Sequence, residues 1–489
     1  MPIDQAPVTL TPHLATNYIN CCSAIAHCSD TIVVVDPSTD DDLGSIPAGC
    51  REDVSQAVAS ARAALASWST MNLQQRARIL GEAAARAIAA ADELAELQCR
   101  EMGQPWAVCR PLTEQVLGAI AAAGQAALDY PFVTIISGDS NTLDFTEVRR
   151  VPFGVGGLIT PWNFPIPVAI EGLSVLLAAG NTVVWKPSER APFSARRLAE
   201  LLDLPPGVLN LVHGDSRAGI ELADHDEVDI VVFTGGEQAG LSVAAASASR
   251  CRPVLLELGG NDPVIVDSDV DPVWAAQVVA HGAFWNSGQV CASMERIYVH
   301  HDLADEFVNE LVRLAEGLNV GPALNAATQL GPLASATHRD SVHRQVTDAT
   351  DKGAVILTGG APLLGAGNFY PPTVLTGLND DMLIMGEETF GPIAPVTVIK
   401  TFEEGLRLAK RGRFGLGATV LSSSRDHGDR GREIPAAICW VNEWQGGAPG
   451  MTYAPTKSSG IGTVGSFDSV TRPVVLHSAR PGAQPAYAG

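Results

Sequence analysis

Cys291 closes the segment Gly288-Gln289-Val290-Cys291, and further back Glu257 sits inside Leu256-Glu257-Leu258-Gly259-Gly260. A thiol can act as a nucleophile, and a carboxyl in an apolar run is costly unless it has a task or a partner. The paired glycines let another backbone come close. Pro161-Trp162-Asn163-Phe164-Pro165 follows the strand-like run Val155–Thr160. An amide there can point into the crevice where α/β sheets bind ligands. In Trp185-Lys186-Pro187-Ser188-Glu189, Lys186 could touch phosphate or ribose, and Glu189 could accept ribose hydroxyls. Phe233-Thr234-Gly235-Gly236-Glu237 ends a strand and opens a helix whose first amides could hold pyrophosphate. Each segment alone also has a plainer reading: a turn, a solvated charge pair, an ordinary loop, and for Cys291 an inert core thiol.

The elements that must position these groups alternate. Val155–Thr160, Thr182–Lys186, Val208–Val212 and Asp229–Phe233 read as buried strands; Ile166–Ala179, Ser194–Leu202, Gly219–Ala223 and Gln238–Ser249 read as helices between them. A second series has strands at Pro263–Val266, Arg296–Val299, Ala354–Thr358, Pro395–Lys400, Ala418–Leu421 and Ala437–Val441. Its helices are Val273–Trp285, Asp305–Gly317, Arg339–Lys352 and Phe402–Arg411. This alternation implies parallel α/β sheets, with the seam near Glu257–Asp262. Before them, Val54–Trp68 and Gln75–Cys99 are rich in helix formers.

Composition narrows the function. The chain has 489 residues and a net charge of −22, which makes a nucleic acid or an anionic membrane a poor partner. No apolar run is long enough to span a bilayer, and the first residues lack the basic and apolar regions of a signal peptide. Nine cysteines without a CxxC pair point to free thiols in a reducing, cytoplasmic setting. Gly460-Ile461-Gly462-Thr463-Val464-Gly465 fits G-x-G-x-x-G, but it follows no strand, and no acidic residue occurs after Asp468. It reads as loop glycines, not a dinucleotide fingerprint. The tail Arg480–Gly489 is Pro-, Ala- and Gly-rich and is expected to be poorly ordered.

Taken together and in this order, the segments resemble the NAD(P)-dependent aldehyde dehydrogenase superfamily. Asp36-Pro37-Ser38-Thr39, Asn261-Asp262-Pro263, Glu387-Glu388-Thr389-Phe390-Gly391-Pro392 and Lys457-x-Ser459-Gly460-x-Gly462 extend the match. The resemblance implies an α/β fold with a Rossmann-type parallel-sheet cofactor domain (1–130 and 151–256) and an α/β catalytic domain (257–450). It adds a small β bridging element (131–150 and 466–489), in which Val133–Ile136, Thr142–Val148 and Pro473–His477 form a sheet across subunits of a homodimer or homotetramer.

By the same resemblance, Cys291 attacks the aldehyde. Asn163 and the Cys291 amide stabilise the oxyanion, Glu257 activates water against the thioester, and Lys186 completes the catalytic set. The cofactor is NAD, with NADP disfavoured by Glu189, whose carboxylate would repel a 2′-phosphate. It would meet Ile159, Thr160, Pro161, Trp162, Lys186, Ser188, Glu189, Phe233, Thr234, Gly235, Gly236, Leu258, Glu388 and Phe390. Phe164, Trp285 and Tyr453 match aromatic positions of the substrate tunnel, and Trp444 lies on a loop nearby. Glu171, on the helix after Asn163, either faces the tunnel mouth, where it would suit a cationic amino-aldehyde, or is an exposed helix carboxylate.

Three segments depart from the family pattern. FTGS is Phe233-Thr234-Gly235-Gly236, PFGG is Thr452-Tyr453-Ala454-Pro455, and the Arg-Glu after Gly462 is Thr463-Val464. Two other activities also fit the resemblance: a CoA-acylating dehydrogenase, and a catalytically silent structural or binding member.

Overall fold

The computed structural model describes residues 16–447 and 451–482. Residues 483–489 of the expected disordered tail lie outside the described residues. An eight-stranded sheet runs in the order Gly460–Ile461, Val254–Glu257, Ile230–Thr234, Val155–Ile159, Thr182–Lys186, Leu209–Leu211, Asn17–Ile19, Cys22–Ala24. Its five central strands are parallel. Val155–Ile159 and Thr182–Lys186 are buried along their whole length, because helices cover both faces. One face packs on Pro165–Ala179 and Pro192–Leu202 through Leu158, Ile166, Leu173, Trp185 and Leu198. The other packs on Arg51–Ser69 and Ser216–Asp224 through Val54, Val58, Val184, Leu222 and Val231. The chain order reverses between Val155–Ile159 and Ile230–Thr234. The turns after these two strands therefore flank the crevice where a doubly wound sheet takes its ligand.

Residues 258–261 carry the chain into a seven-stranded sheet. Its order is Val355–Thr358, Thr373–Thr376, Ile393–Ile399, Met294–His300, Asp262–Val266, Gly417–Leu421, Ile438–Val441.

Several sequence expectations need correction. Neither sheet is wholly parallel. Val355–Thr358 pairs antiparallel with Thr373–Thr376, and short antiparallel strands edge the first sheet. Val254–Glu257 is a strand that the sequence reading missed. The stretch Gln75–Cys99 is two helices, Leu73–Ala89 and Ala91–Met102, because Ala90 leaves helical geometry (φ −107°, ψ 19°). The bend keeps Leu80 and Leu94 in one core. Gly460–Ile461 is a strand and not a free loop, and it returns the chain to the first sheet beside Leu256 and Glu257. The third sheet, Val133–Asp139, Asp144–Pro152 and Thr471–Ser478, has its three strands paired within one chain, from Thr471↔Pro152 through Ser478↔Phe145. It leaves Ile136, Val475 and Leu476 more than half exposed.

Candidate active site

Glu257 ends its strand opposite Thr234, and its carbonyl accepts the Gly235 amide at 3.0 Å. Past it, the two glycines are needed for close approach. A Cβ at Gly260 would lie 2.5 Å from the Cys291 carbonyl, and one at Gly259 would lie 2.2 Å from Glu388 Oε2. A side chain at either position would push the thiol loop or Glu388 away.

Cys291 leaves a turn with three successive left-handed residues, Asn286, Ser287 and Gly288 (φ 52°, 57° and 70°). The helix expected to reach Trp285 stops at Phe284, because this turn starts there. Strain of this kind persists only where the surroundings enforce it. Asn286 Nδ2 donates to the carbonyls of Asn163 and Gln289 (both 3.3 Å), Ser287 Oγ donates to Gly331 (2.8 Å), and Gln289 Oε1 accepts the Ala334 amide (2.9 Å). Asn163 is buried, and its Nδ2 donates to the Gln289 carbonyl at 3.0 Å, which fixes the amide two residues from Cys291.

The half-buried Cys291 packs with Trp444 and Tyr453 against Ala292, Leu416 and Trp440. Burial pushes its thiol up, and the carboxyls of Glu257, Glu388, Asp262 and Glu171 push it further. Tyr453 bridges the thiol cluster to Glu257, donating its hydroxyl to Oε2 at 3.0 Å, while the buried Oε1 has no hydrogen-bond partner. Burial first, and then the Glu171 charge, push Glu257 up to about 8. Glu171 is not an exposed helix carboxylate. Burial raises it to about 7, and it lines one cavity with Glu257, Thr234, Thr463 and Ser466. Two of the three departures from the family pattern form one unit here, since the Val464 amide donates to the Tyr453 carbonyl at 2.9 Å.

An aromatic wall stands beside the thiol. Phe164 stacks on Trp285 (centroids 5.3 Å apart, planes 24°), and Trp444 meets Trp285 edge-on at 5.8 Å. Trp444 Nε1 donates to the Ala292 carbonyl at 2.9 Å, which ties the wall to the residue after Cys291.

The remaining candidates gather at the ends of the first sheet's strands. Lys186 is buried and pairs with Glu189 (3.5 Å); burial lowers its pKa. It has no described contact with Cys291, so the structure does not bring it to the thiol. Trp185 Nε1 donates to Thr160 Oγ1 at 2.9 Å, and Ser188 Oγ accepts the Arg190 amide. Ile159 and Leu258 are buried in the same core. Pro161 follows Thr160 at the sheet's switch point. Gly235 fits because a Cβ there would strike the Phe233 ring at 2.7 Å. Gly236 N-caps the helix Glu237–Ala248 without a side-chain cap, and a Cβ there would meet nothing within 4 Å. Glu237 is tied off by Arg413. An uncapped helix start facing open space, with a Lys–Glu pair at the end of a strand two places along the same sheet, fits the pyrophosphate and ribose of a dinucleotide. Glu388 accepts the Gly260 amide at 3.1 Å. Phe390 holds a left-handed backbone (φ 53°) and meets Trp162 edge-on at 5.6 Å.

Glu295 was missed by the sequence reading. It accepts the amides of Thr389 and Phe390 (both 2.8 Å) and Asn261 Nδ2 (3.0 Å), so it holds the Glu388–Phe390 turn against the thiol loop. A carboxyl in the fully buried strand Met294–His300 was the available signal, by the same reasoning that singled out Glu257.

A doubly wound sheet with an open helix start, in a chain that also holds a half-buried thiol and a buried-side carboxyl, fits a pyridine-nucleotide-dependent oxidoreductase. The aldehyde dehydrogenase family profile matches residues 25–474. The chain is 37% identical over 456 residues to aminoaldehyde dehydrogenase 2, peroxisomal, of Pisum sativum, covering 88% of each. It is 34% identical to betaine aldehyde dehydrogenase of Vibrio vulnificus, covering 92% of this chain and 94% of that one. The NAD-dependent aldehyde dehydrogenase structure from Sinorhizobium meliloti superposes with a TM-score of 0.93 at 33% identity, covering 97% of both chains. The chain belongs to the aldehyde dehydrogenase family, and it is an NAD(P)-using oxidoreductase acting on aldehydes.

Proposed function

We propose that the protein oxidises an aldehyde to the carboxylic acid through a covalent Cys291 intermediate that Glu257 helps to hydrolyse. The observation that carries this is Tyr453, which packs with Cys291 and caps Glu257, so that nucleophile and base share one enclosure. The Cys291 thiol gives its proton to solvent, and its sulfur forms a bond to the carbonyl carbon as the C=O π pair moves onto oxygen. The resulting oxyanion is met by the Asn163 amide and the Cys291 N–H. Bound NAD+ supplies the hydride acceptor. Loss of hydride leaves a thioester on Cys291. Glu257 then takes a proton from water, whose oxygen bonds to the acyl carbon as the C–S bond breaks. Residues 1–130 and 151–256 serve as the cofactor domain and 257–450 as the catalytic domain. Glu189 favours NAD+ over NADP+.

The substrate class we infer is a cationic aldehyde. Phe164, Trp285, Trp444 and Tyr453 offer π-faces, Glu171 adds negative charge behind Glu257, and the named relatives act on aminoaldehydes and betaine aldehyde. We also propose a homodimer or homotetramer built on the exposed apolar three-stranded sheet, in the cytoplasm, where free thiols persist. The test is NADH formation across aliphatic, aromatic, semialdehyde and amino-aldehyde substrates, with NAD+ or NADP+, with and without CoA. The reading requires CoA-independent acid formation, preference for NAD+, and no turnover by Cys291→Ala. CoA-dependent product or an active Cys291→Ala would overturn it.

A further inference from the structure

Far along the chain from Cys291, the N-terminal segment builds a second thiol cluster. Cys28 lies three residues before and Cys50 three residues after the hairpin Thr31–Val35 and Asp42–Pro47, a sheet of two strands only. An isolated two-stranded hairpin is marginal alone. Its open end is the pair Thr31↔Pro47. Gly49 (φ +75°) seats so tightly on the His213 carbonyl that a Cβ would lie 2.4 Å from it, which fixes where Cys50 emerges. Cys50 N-caps the helix Arg51–Ser69, and Asp53 in its first turn is fully buried.

We propose that Cys28, Cys50 and Asp53 form a structural site for a thiophilic divalent cation, zinc being the fitting one, that clips the base of this hairpin to the helix. Their ligand atoms all lie within 4.8 Å of one another. Cys50 Sγ is 3.2 Å and Cys28 Sγ 3.7 Å from Asp53 Oδ2. Tetrahedral zinc, with Zn–S about 2.3 Å and Zn–O about 2.0–2.2 Å, has ligand-to-ligand edges of about 3.3–3.8 Å, which the two sulfur–oxygen separations already approach. The other oxygen, Oδ1, is held by the His27 amide (2.9 Å) and by His27 Nδ1 (3.0 Å). A metal-bound carboxylate is braced by outer partners in this way. The fourth position is left to water. Binding replaces two S–H protons with one cation: Zn2+ bonds to two sulfurs and one carboxylate oxygen, and two protons pass to solvent, with no redox change. Thiolate ligands select zinc over calcium or magnesium. Cys22, exposed and outside the cluster, is the internal control.

The test uses the full chain in a Cys291→Ala background, so that the active-site thiol cannot contribute, stripped with chelator under reducing conditions and titrated with Co2+ and then Zn2+. The expected result is one equivalent of Co2+ giving a thiolate-to-cobalt charge-transfer band that Zn2+ displaces. The band should persist in Cys22→Ser and disappear in Cys28→Ser/Cys50→Ser with circular dichroism unchanged. His27→Ala, which keeps all three ligands, should weaken binding by about 10- to 100-fold, and this reads the site even if the double variant folds poorly. No band in the parent, a band that survives loss of both thiols, or a Cys28–Cys50 disulfide that excludes metal in the freshly purified chain would overturn the proposal.

Discussion

The Tyr453 hydroxyl donates to Glu257 Oε2 at 3.0 Å, while Glu171 shares the cavity behind that carboxyl. The two neighbours act in opposite directions: the hydroxyl stabilises the carboxylate form of Glu257, and a second negative charge opposes it. Because Glu257 is pushed up to about 8, it becomes the ionised base as pH rises through that value, and thioester hydrolysis should rise with it.

Tyr453→Phe should therefore move the rising limb of hydrolysis to higher pH. Glu171→Gln should move it to lower pH. A hydrogen bond to a charged group contributes about 1.5–3 kcal/mol, so the Tyr453→Phe shift should be about one to two pH units. Steady-state rate against pH, with hydrolysis limiting, reads both. Shifts in the same direction, or none, would remove these residues from the account.

Asn163→Ala takes away the proposed oxyanion donor and the anchor on the Gln289 carbonyl. The expected loss in kcat is about 100- to 1000-fold. Single-turnover NADH formation should slow by the same factor, since the donor acts at the addition step; a defect confined to hydrolysis would contradict the assignment.

The paired edges of the chemistry were readable in the residues and the fine positioning was not. A carboxyl in an apolar run marked Glu257, and Gly-Gly marked a close approach, whereas Cys291 alone reads as an inert core thiol and stood out only through the order of all the segments together. The left-handed turn at Asn286 and Ser287 leaves no such mark, since neither residue is a glycine; partners distant in sequence, Gly331 and Ala334, hold it. Val254–Glu257 was missed as a strand because it is short and its neighbours come from both sides of the chain: Ile230–Thr234 and, about two hundred residues later, Gly460–Ile461. That late return explains why the departures at Tyr453 and Val464, in separate segments of the sequence, meet beside Glu257.

Trp444 stands edge-on to Trp285 and is tied to Ala292. If the wall recognises a cation, Trp444→Ala should raise KM for a trimethylammonium aldehyde by about 3- to 30-fold relative to its neutral isostere, in line with a cation–π contribution of about 0.5–2 kcal/mol. An equal rise for both substrates would mean the ring only fills space.

Ile136, Val475 and Leu476 expose one apolar sheet. Light scattering on the intact chain at micromolar concentration should give twice or four times the monomer mass, and Val475→Lys should lower it. A monomer in the parent chain would exclude this sheet as an interface.

The central claim is that Glu257 hydrolyses a thioester formed on Cys291. Glu257→Gln keeps the shape and removes the base. Mixed with NAD+ and excess aldehyde, quenched and digested, it should show a burst of about one NADH per site with the acyl group on the Cys291 peptide, while steady turnover falls by about 100-fold or more. A burst with no acyl mass on Cys291, or unimpaired turnover, would contradict the account.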